Sequence, residues 1–144
     1  MSSAGWFSIA VAIAGGVGVL TLAYVATAKA QPLDCNDPQT QAAMNACAGQ
    51  DWQRADRDLN RIYGQVRAAL RKQDRELGPD FKSAETSLVE GQRGWIAYRD
   101  GHCDVEASSA RGGSMERGLF SSCAATLTMR RTDELRAILK TTTR

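Results

Sequence analysis

Four residues of types that often carry chemistry stand within five positions of one another, at Arg99, Asp100, His102 and Cys103. Because His102 is the only histidine of the chain, any cysteine or serine nucleophile with an imidazole base would have to use it. The same cluster could hold a metal ion. A nucleophilic Cys103 would have to remain a thiolate, which an oxidised, exported chain with four cysteines disfavours. We therefore interpret Cys103 as structural and its three neighbours as scaffold.

The sequence contains none of the common catalytic motifs. A glycine-rich phosphate loop, HExxH, GxSxG, and the CxxC or histidine-rich spacing of zinc sites are all missing. Asp34, Asn36 and Asp37 could offer oxygen ligands to calcium, but they lack the loop length and closing glutamate of a calcium site, so a turn is favoured. Scattered carboxylates leave glycoside hydrolysis as a remote alternative. We predict no enzyme activity, no metal and no cofactor.

The N-terminal 28 residues carry no charged side chain, and an apolar run covers residues 6–28. Small residues at Ala26, Ala28 and Ala30 fit cleavage by signal peptidase, whereas the length of the run also fits a membrane span. Residues 1–30 are predicted to be a signal peptide or an N-terminal membrane anchor, with cleavage favoured. The charged Asp34 beside Cys35 argues against a lipoprotein cleavage site there. Residues 31–144 form the predicted domain.

The cysteines and the net charge indicate where the domain acts and which partners it lacks. All four cysteines, at positions 35, 47, 103 and 123, follow the leader, so two disulfides in the periplasm or cell envelope are expected. Three pairings are possible, and the spacing does not choose among them. A formal charge of +2 provides no field for nucleic acid. The oligomeric state is left open.

Apolar residues recur at helical spacing in three segments. The first helix is predicted to begin at Asp37 and Pro38, and its stripe lies at Met44, Ala48, Trp52, Ala55, Leu59, Ile62, Val66 and Ala69. Breaks at residues 78–80 and 101–117 separate it from helices over about 80–100, with Phe81 in the stripe, and about 117–139. We predict an all-α fold, an antiparallel bundle of about three helices with one long loop.

The loop at residues 101–117 is the segment most suited to binding. Long loops inside compact domains are often functional, and a bridge between Cys103 and Cys123 would hold both ends of this one. It would offer polar contacts and close backbone approach through Asp104, Glu106, Arg111, Gly112, Gly113 and Ser114. The alternative is an ordinary surface loop. Trp95, Tyr98 and Arg99 share one helix side and could bind a partner, but Trp95 continues an apolar stripe and is interpreted as core.

Residues spread over most of the mature chain resemble one family. The order includes Cys35, Thr40-Gln41, Met44-Asn45, Cys47-Ala48, Ala55-Asp56, Leu59-Asn60, Tyr63, Gln92, Trp95-Ile96, Arg99-Asp100, Cys103, Gly112-Gly113-Ser114, Cys123, Leu127-Thr128, Arg131-Thr132 and Leu135. Over about 35–139 it is similar to the LprI-type lysozyme inhibitor domain, a family of small exported bacterial proteins. The four cysteines combined with "WIAYRDGHC" and "GGS" carry most of the resemblance.

The resemblance implies a function and a disulfide pattern. It implies an all-helical envelope domain that binds and inhibits lysozyme, with Trp95, Arg99 and Asp100 as a structural motif. It also implies pairing of Cys35 with Cys47 and of Cys103 with Cys123. Our own hypothesis is that inhibition occurs by occupation of the lysozyme cleft. The alternative function is a non-catalytic structural or adaptor module that binds another envelope protein or a peptidoglycan fragment.

Overall fold

A computed structural model describes residues 33–143, which form a bundle of three α-helices. Helix α1 spans Gln41–Leu77, α2 spans Ala84–Ala107, and α3 spans Glu116–Thr142; a short 3-10 helix covers Ser108–Ala110. The predicted all-α class and three-helix bundle are confirmed. The predicted leader at residues 1–30 lies outside the described residues. Within residues 33–143 no helix is both long enough and apolar enough to cross a bilayer.

The helices run up, down and up. Helices α1 and α2 are antiparallel, since Asp74 near the end of α1 meets the start of α2, and Asp56 lies 3.9 Å from Arg99 further along it. Helix α3 runs parallel to α1, because Asn45 contacts Ser114 at one end and Asp58 pairs with Arg136 further along. Helix α1 packs far more extensively on α3 than on α2.

Helix α1 begins three residues later than the predicted start. Thr40 is the N-cap, and its hydroxyl accepts a hydrogen bond from the Ala43 amide at 3.1 Å. Asp37 therefore does not cap the helix as predicted. The Asp34 carboxylate accepts from the Asn36 amide at 2.9 Å, which confirms a turn at that point.

Gly78 ends α1 with a positive φ of 86°, which favours glycine, and α2 does not begin until Ala84. The later start follows from two groups that satisfy the first amides of α2: Ser83 Oγ accepts from Thr86, and the Asp74 carboxylate accepts from Ala84 and Glu85. Phe81 therefore precedes the helix and is 63% exposed, so its predicted place in the apolar stripe is wrong.

The main core lies between the middle of α1 and the second half of α3. It is formed by Leu59, Ile62, Val66, Leu70, Leu88 and Leu135, and a partly buried Trp95 packs against it. The core interpretation of Trp95 thus agrees with the structure. Met44, by contrast, is 44% exposed. The buried face of α3 carries many small or hydroxyl side chains, which permit close contact with α1: Ser121, Ala124, Ala125, Thr128 and Thr132.

The predicted long loop at 101–117 is mostly helical. Helix α2 continues to Ala107 because Cys103 and Ala107 are buried, and serine hydroxyls then satisfy its last carbonyls. Ser108 Oγ donates to the Val105 carbonyl at 2.6 Å, and Ser109 Oγ donates to that of Glu106 at 3.0 Å. Of the predicted loop, only residues 111–115 are not helical; they connect the 3-10 helix to α3. His102 lies inside α2 rather than at its end.

Candidate functional site

Both disulfides lie toward the end of the bundle at which α2 turns into α3. Cys35 is bonded to Cys47 and Cys103 to Cys123, each with a Cα–Cα distance of 5.5 Å. The pairing implied by the resemblance is confirmed. All four cysteines of the chain are therefore oxidised, and Cys103 offers no thiolate for catalysis. We call residues 33–55 and 99–125 the hairpin end.

The chain reverses direction in a short, internally bonded turn, residues 108–115, which we call the α2–α3 turn. The Arg111 amide donates to Ser108 at 3.2 Å, and the Gly113 amide donates to Ala110 at 2.8 Å. Gly112 has a φ of 74°, which favours glycine, and its amide donates to the Glu116 carboxylate at 2.8 Å. The turn is thus fixed by its own hydrogen bonds and by the first residue of α3.

Asn45 fastens the α2–α3 turn to α1. Its side-chain amide donates to the Ser114 carbonyl at 2.6 Å, while its oxygen accepts from Gln41 at 2.8 Å. The contact requires close approach of α1 and α3, because a methyl group on Gly118 would overlap the Asn45 side chain. Together with the Cys103–Cys123 bridge, this contact holds the turn at a fixed position on the bundle.

The structure brings together some of the six predicted binding residues. Asp104, Gly112 and Gly113 line one shallow cavity of about 460 Å³, with Phe120 among the other residues around it. Arg111 and Ser114 are exposed on the same turn. Glu106 is the exception.

Glu106 and His102 lie on a different side of α2. The Glu106 carboxylate is 3.0 Å from His102 Nε2, and both border another cavity with Leu127 and Arg130. Successive helix positions rotate by about 100°, so Asp104 and Glu106 face different directions. His102, Glu106 and Cys123 approach one another closely enough to suggest a metal site, but the Cys123 sulfur is held in its disulfide. Two exposed groups remain, too few for a protein metal site.

Two methionines form an apolar border beside the turn. Met44 on α1 and Met115 before α3 are 44% and 50% exposed, and they line a cavity of about 210 Å³ with Ala48 and Leu119. Flexible thioether side chains adapt to varied partner surfaces. The sequence prediction placed Met44 in the core and gave Met115 no role.

Arg99 is buried at the hairpin end. Its guanidinium lies between the rings of Trp52 and Trp95, 5.3 and 5.2 Å from the ring centroids, and its Nε donates to Asp100 at 2.8 Å. Such stacking and pairing stabilise a buried arginine. The interpretation of Arg99 and Asp100 as scaffold stays a prediction, which this arrangement supports. Tyr98, the remaining member of the predicted binding trio, is exposed and stacks on His102.

Ion pairs stabilise the other end of the bundle, where α1 ends and α2 begins. Hydrogen bonds from Arg71 and Arg67 lower the pKa of Glu85 from 4.5 to about 2. Backbone hydrogen bonds from Ala84 and Glu85 lower the pKa of Asp74. Together these contacts fix where α2 begins and hence how far its other end reaches toward the turn.

Comparison with known proteins identifies the family. The family described as lysozyme inhibitor LprI matches residues 35–135. The chain belongs to the lysozyme inhibitor LprI family. An uncharacterized protein of Rhizobium meliloti (strain 1021) is 44% identical over 110 residues, which cover 74% of this chain and 79% of the relative. No solved structure matches the chain. At the level of the family, the role is lysozyme inhibition without catalysis.

The contacts that fix the turn were largely missed by sequence reasoning. Asn45 contributed to the resemblance but had no assigned role, and Glu116 and Gly118 were not singled out. One signal was present: Gln41 and Asn45 stand four residues apart on the helix that carries the predicted apolar stripe. Nothing in that spacing indicates a partner 69 residues away.

Proposed function

We propose that this protein inhibits lysozyme by placing the α2–α3 turn in the substrate cleft of the enzyme, and that it has no catalytic activity of its own. Membership of the LprI family supports lysozyme as the kind of partner. The single observation that carries the proposed mode is the fixation of an exposed turn by three independent links: the Cys103–Cys123 bridge, the Asn45–Ser114 hydrogen bond and the Gly112–Glu116 hydrogen bond.

A fixed turn favours tight binding on entropic grounds. A flexible loop loses conformational freedom when a partner immobilises it, and this loss opposes association. The α2–α3 turn has already lost that freedom in the folded inhibitor. The contacts that the turn forms with lysozyme therefore do not have to offset a further loss of conformational freedom.

Arg111 is the residue of the turn best suited to a glycosidase cleft. Lysozymes cleave glycosidic bonds with paired carboxyl groups in the cleft. A guanidinium matches carboxylates with charge-assisted hydrogen bonds. Arg111 is exposed, and within residues 33–143 it forms no ion pair, so its charge is free for a partner.

The near-neutral net charge conceals an uneven distribution. The hairpin end carries seven carboxylates and four arginines, a net charge of −3, whereas the remaining described residues carry nine carboxylates and twelve basic groups, a net charge of +3. An acidic end directs that side of the molecule toward a cationic lysozyme and accelerates association. The free Arg111 would then meet carboxylates at the centre of the contact.

We further propose that the protein acts in the periplasm or cell envelope after removal of residues 1–30. Two disulfides in a small domain are typical of oxidising compartments. Mass spectrometry of the mature protein tests this proposal. An intact N-terminus would support a retained anchor instead, and recovery of reduced protein from the cytoplasm would contradict export.

The inhibition experiment titrates oxidised residues 31–144 into cell-wall clearing assays with several lysozymes. Inhibition at micromolar concentration is expected, and Arg111→Ala should weaken it by about tenfold or more. Arg130→Ala is the matched control, since Arg130 is exposed on α3 outside the hairpin end. Both variants should melt at the wild-type temperature.

Two charge reversals on α2 test the role of the acidic hairpin end. Asp104→Lys at the hairpin end should slow association with a cationic lysozyme, and Glu90→Lys on the distant part of α2 should not. Failure to inhibit any lysozyme would contradict the proposed function. Equal losses from Arg111→Ala and Arg130→Ala would instead place the contact on another face.

A further inference from the structure

A second candidate site lies between α1 and α2, away from the α2–α3 turn. The two helices are joined at the Arg67–Glu85 pair and again at the Arg99–Asp56 pair, and between these points a groove of about 340 Å³ remains open. Its volume falls at the lower end of the range of small-molecule sites in proteins. The hairpin-end contacts proposed for lysozyme do not use this groove.

Buried polar groups form the floor of the groove. Gln92 and Arg99 line it although only 7% and 8% of their surfaces are exposed. The Gln92 oxygen accepts from Arg131 Nε at 3.1 Å, but among residues 33–143 its amide nitrogen has no hydrogen-bond partner. The Nη1 of Arg99 is 3.9 Å from Asp56, too far for a hydrogen bond. Neither of these two nitrogens is fully enclosed, so both face the solvent of the groove and are available to a ligand.

The walls of the groove add further donors and an apolar contact. Arg93 is exposed and forms no ion pair within the described part of the chain. Arg67 uses Nε and Nη2 for Glu85, which leaves its Nη1 free, and it lies over the ring of Tyr63. Ile96 provides a partly exposed apolar side chain.

The free groups therefore consist mainly of N–H donors, three of them cationic. Several amide and guanidinium donors close together in one groove match a carboxylate, because a carboxylate accepts several charge-assisted hydrogen bonds at once. Asp56 is the one carboxylate that lines the groove, and Asn60 already donates to it at 2.8 Å. A neutral ligand would offer the donors of Gln92, Arg93 and Arg99 only uncharged acceptors, whose hydrogen bonds are about half as strong.

We propose that the α1–α2 groove binds a small ligand through a free carboxylate, in the size range of a tripeptide or a sugar acid. This inference is independent of lysozyme inhibition, because none of the groove residues belongs to the turn. Binding and inhibition can therefore be lost separately.

The test is an NMR titration of the oxidised full-length protein with four probes. Tri-alanine and N-acetylmuramic acid carry a carboxylate, whereas tri-alanine amide and N-acetylglucosamine are their neutral counterparts. At least one acid should bind about tenfold or more tightly than its counterpart, with shifts at Gln92, Arg93 and Ile96. Binding by the peptide alone or by the sugar acid alone identifies the source of the carboxylate.

Two substitutions locate the binding. Arg93→Gln removes an exposed cation, and Gln92→Glu places a negative charge in the floor while keeping an acceptor for Arg131. Each should weaken binding of the acid about fivefold or more, whereas Arg130→Gln on another face of the bundle should not. Lysozyme inhibition should be unchanged in all three. The proposal is wrong if no acid binds, if neutral counterparts bind equally, or if Arg130→Gln weakens binding as much as Arg93→Gln.

Discussion

The side chain of Asn45 in the first turns of α1 donates to the carbonyl of Ser114 at 2.6 Å, joining positions 69 residues apart. Since no other side chain of α1 hydrogen-bonds to the described residues 108–115, Asn45 couples the position of the α2–α3 turn to the α1–α3 packing. We expect Asn45→Ala to lower the free energy of unfolding by about 1 kcal/mol. Inhibition of lysozyme should weaken roughly two- to tenfold as the turn regains freedom.

The matched control for Asn45→Ala is Gln65→Ala, which removes an exposed amide further along α1. Urea unfolding and inhibition constants measured on both proteins provide the comparison. Equal inhibition by the wild type and Asn45→Ala would show that fixation of the turn does not matter for binding.

Gly118 is coupled to Asn45, and this coupling can be measured. Gly118→Ala should force the Asn45 side chain away from Ser114, so the loss of that hydrogen bond offsets the helix propensity gained from alanine. In the Asn45→Ala background, the side-chain oxygen that would overlap the new methyl group is absent. Gly118→Ala should then be more favourable by about 1 kcal/mol than in the wild type.

Gly94→Ala provides the control for the Gly118 cycle, since a methyl group there would meet nothing within 4 Å. It should stabilise both backgrounds equally, by about 0.5–1 kcal/mol. Denaturant unfolding of the four proteins of each cycle yields the coupling energy. An effect of Gly118→Ala on stability that is the same in both backgrounds would contradict the coupling between Gly118 and Asn45.

The two disulfides should differ in function more than in stability. Their sequence separations are 12 and 20, so removing either one should lower stability by about 3 kcal/mol. Cys103→Ala with Cys123→Ala separates α2 from α3 beside the turn and should abolish most inhibition. Cys35→Ala with Cys47→Ala releases only the segment before α1. Inhibition by each pair, measured below its melting temperature, tests this difference.

Acid should destabilise the end of the bundle at which α2 begins. Because the pKa of Glu85 falls from 4.5 in the unfolded chain to about 2 in the fold, its contribution is present above pH 4.5 and is lost as the pH falls toward 2. Glu85→Gln should lower the melting temperature at pH 7. The melting temperature of this variant should also fall less steeply than that of the wild type as the pH is lowered from 4.5 toward 2. Glu90→Gln, at an exposed position on the same helix, should leave the decline intact.

Periodicity predicted the bundle but not its boundaries. The spacing of Leu59, Ile62 and Val66 identified the buried face of α1, because that spacing reflects the helix period itself. Gly101 and the serines at 108 and 109 indicated a loop, yet burial of Cys103 and Ala107 keeps the chain helical there. Local propensity is weaker than packing at such positions.

The site was predictable in its location but not in its contacts. Gly112 and Gly113 marked the turn, and the resemblance gave the disulfides. Asp104 and Glu106 were grouped because they are close in sequence, but a helix directs them to different sides. The role of Asn45 depends on a partner brought near by the fold, which no local pattern encodes.

The parallel course of α1 and α3 places the two ends of the described residues, Leu33 and Thr143, at opposite poles of the domain. Cys35 is bridged to Cys47 in the first turns of α1, so the chain enters the domain alongside the turn that we propose as the binding surface, whereas Thr143 follows α3 at the far pole. Attachment through the C-terminus would leave the hairpin end facing outward. Attachment directly at Leu33 would turn it toward the support, so the orientation of an immobilised molecule would itself decide whether a large enzyme can reach it.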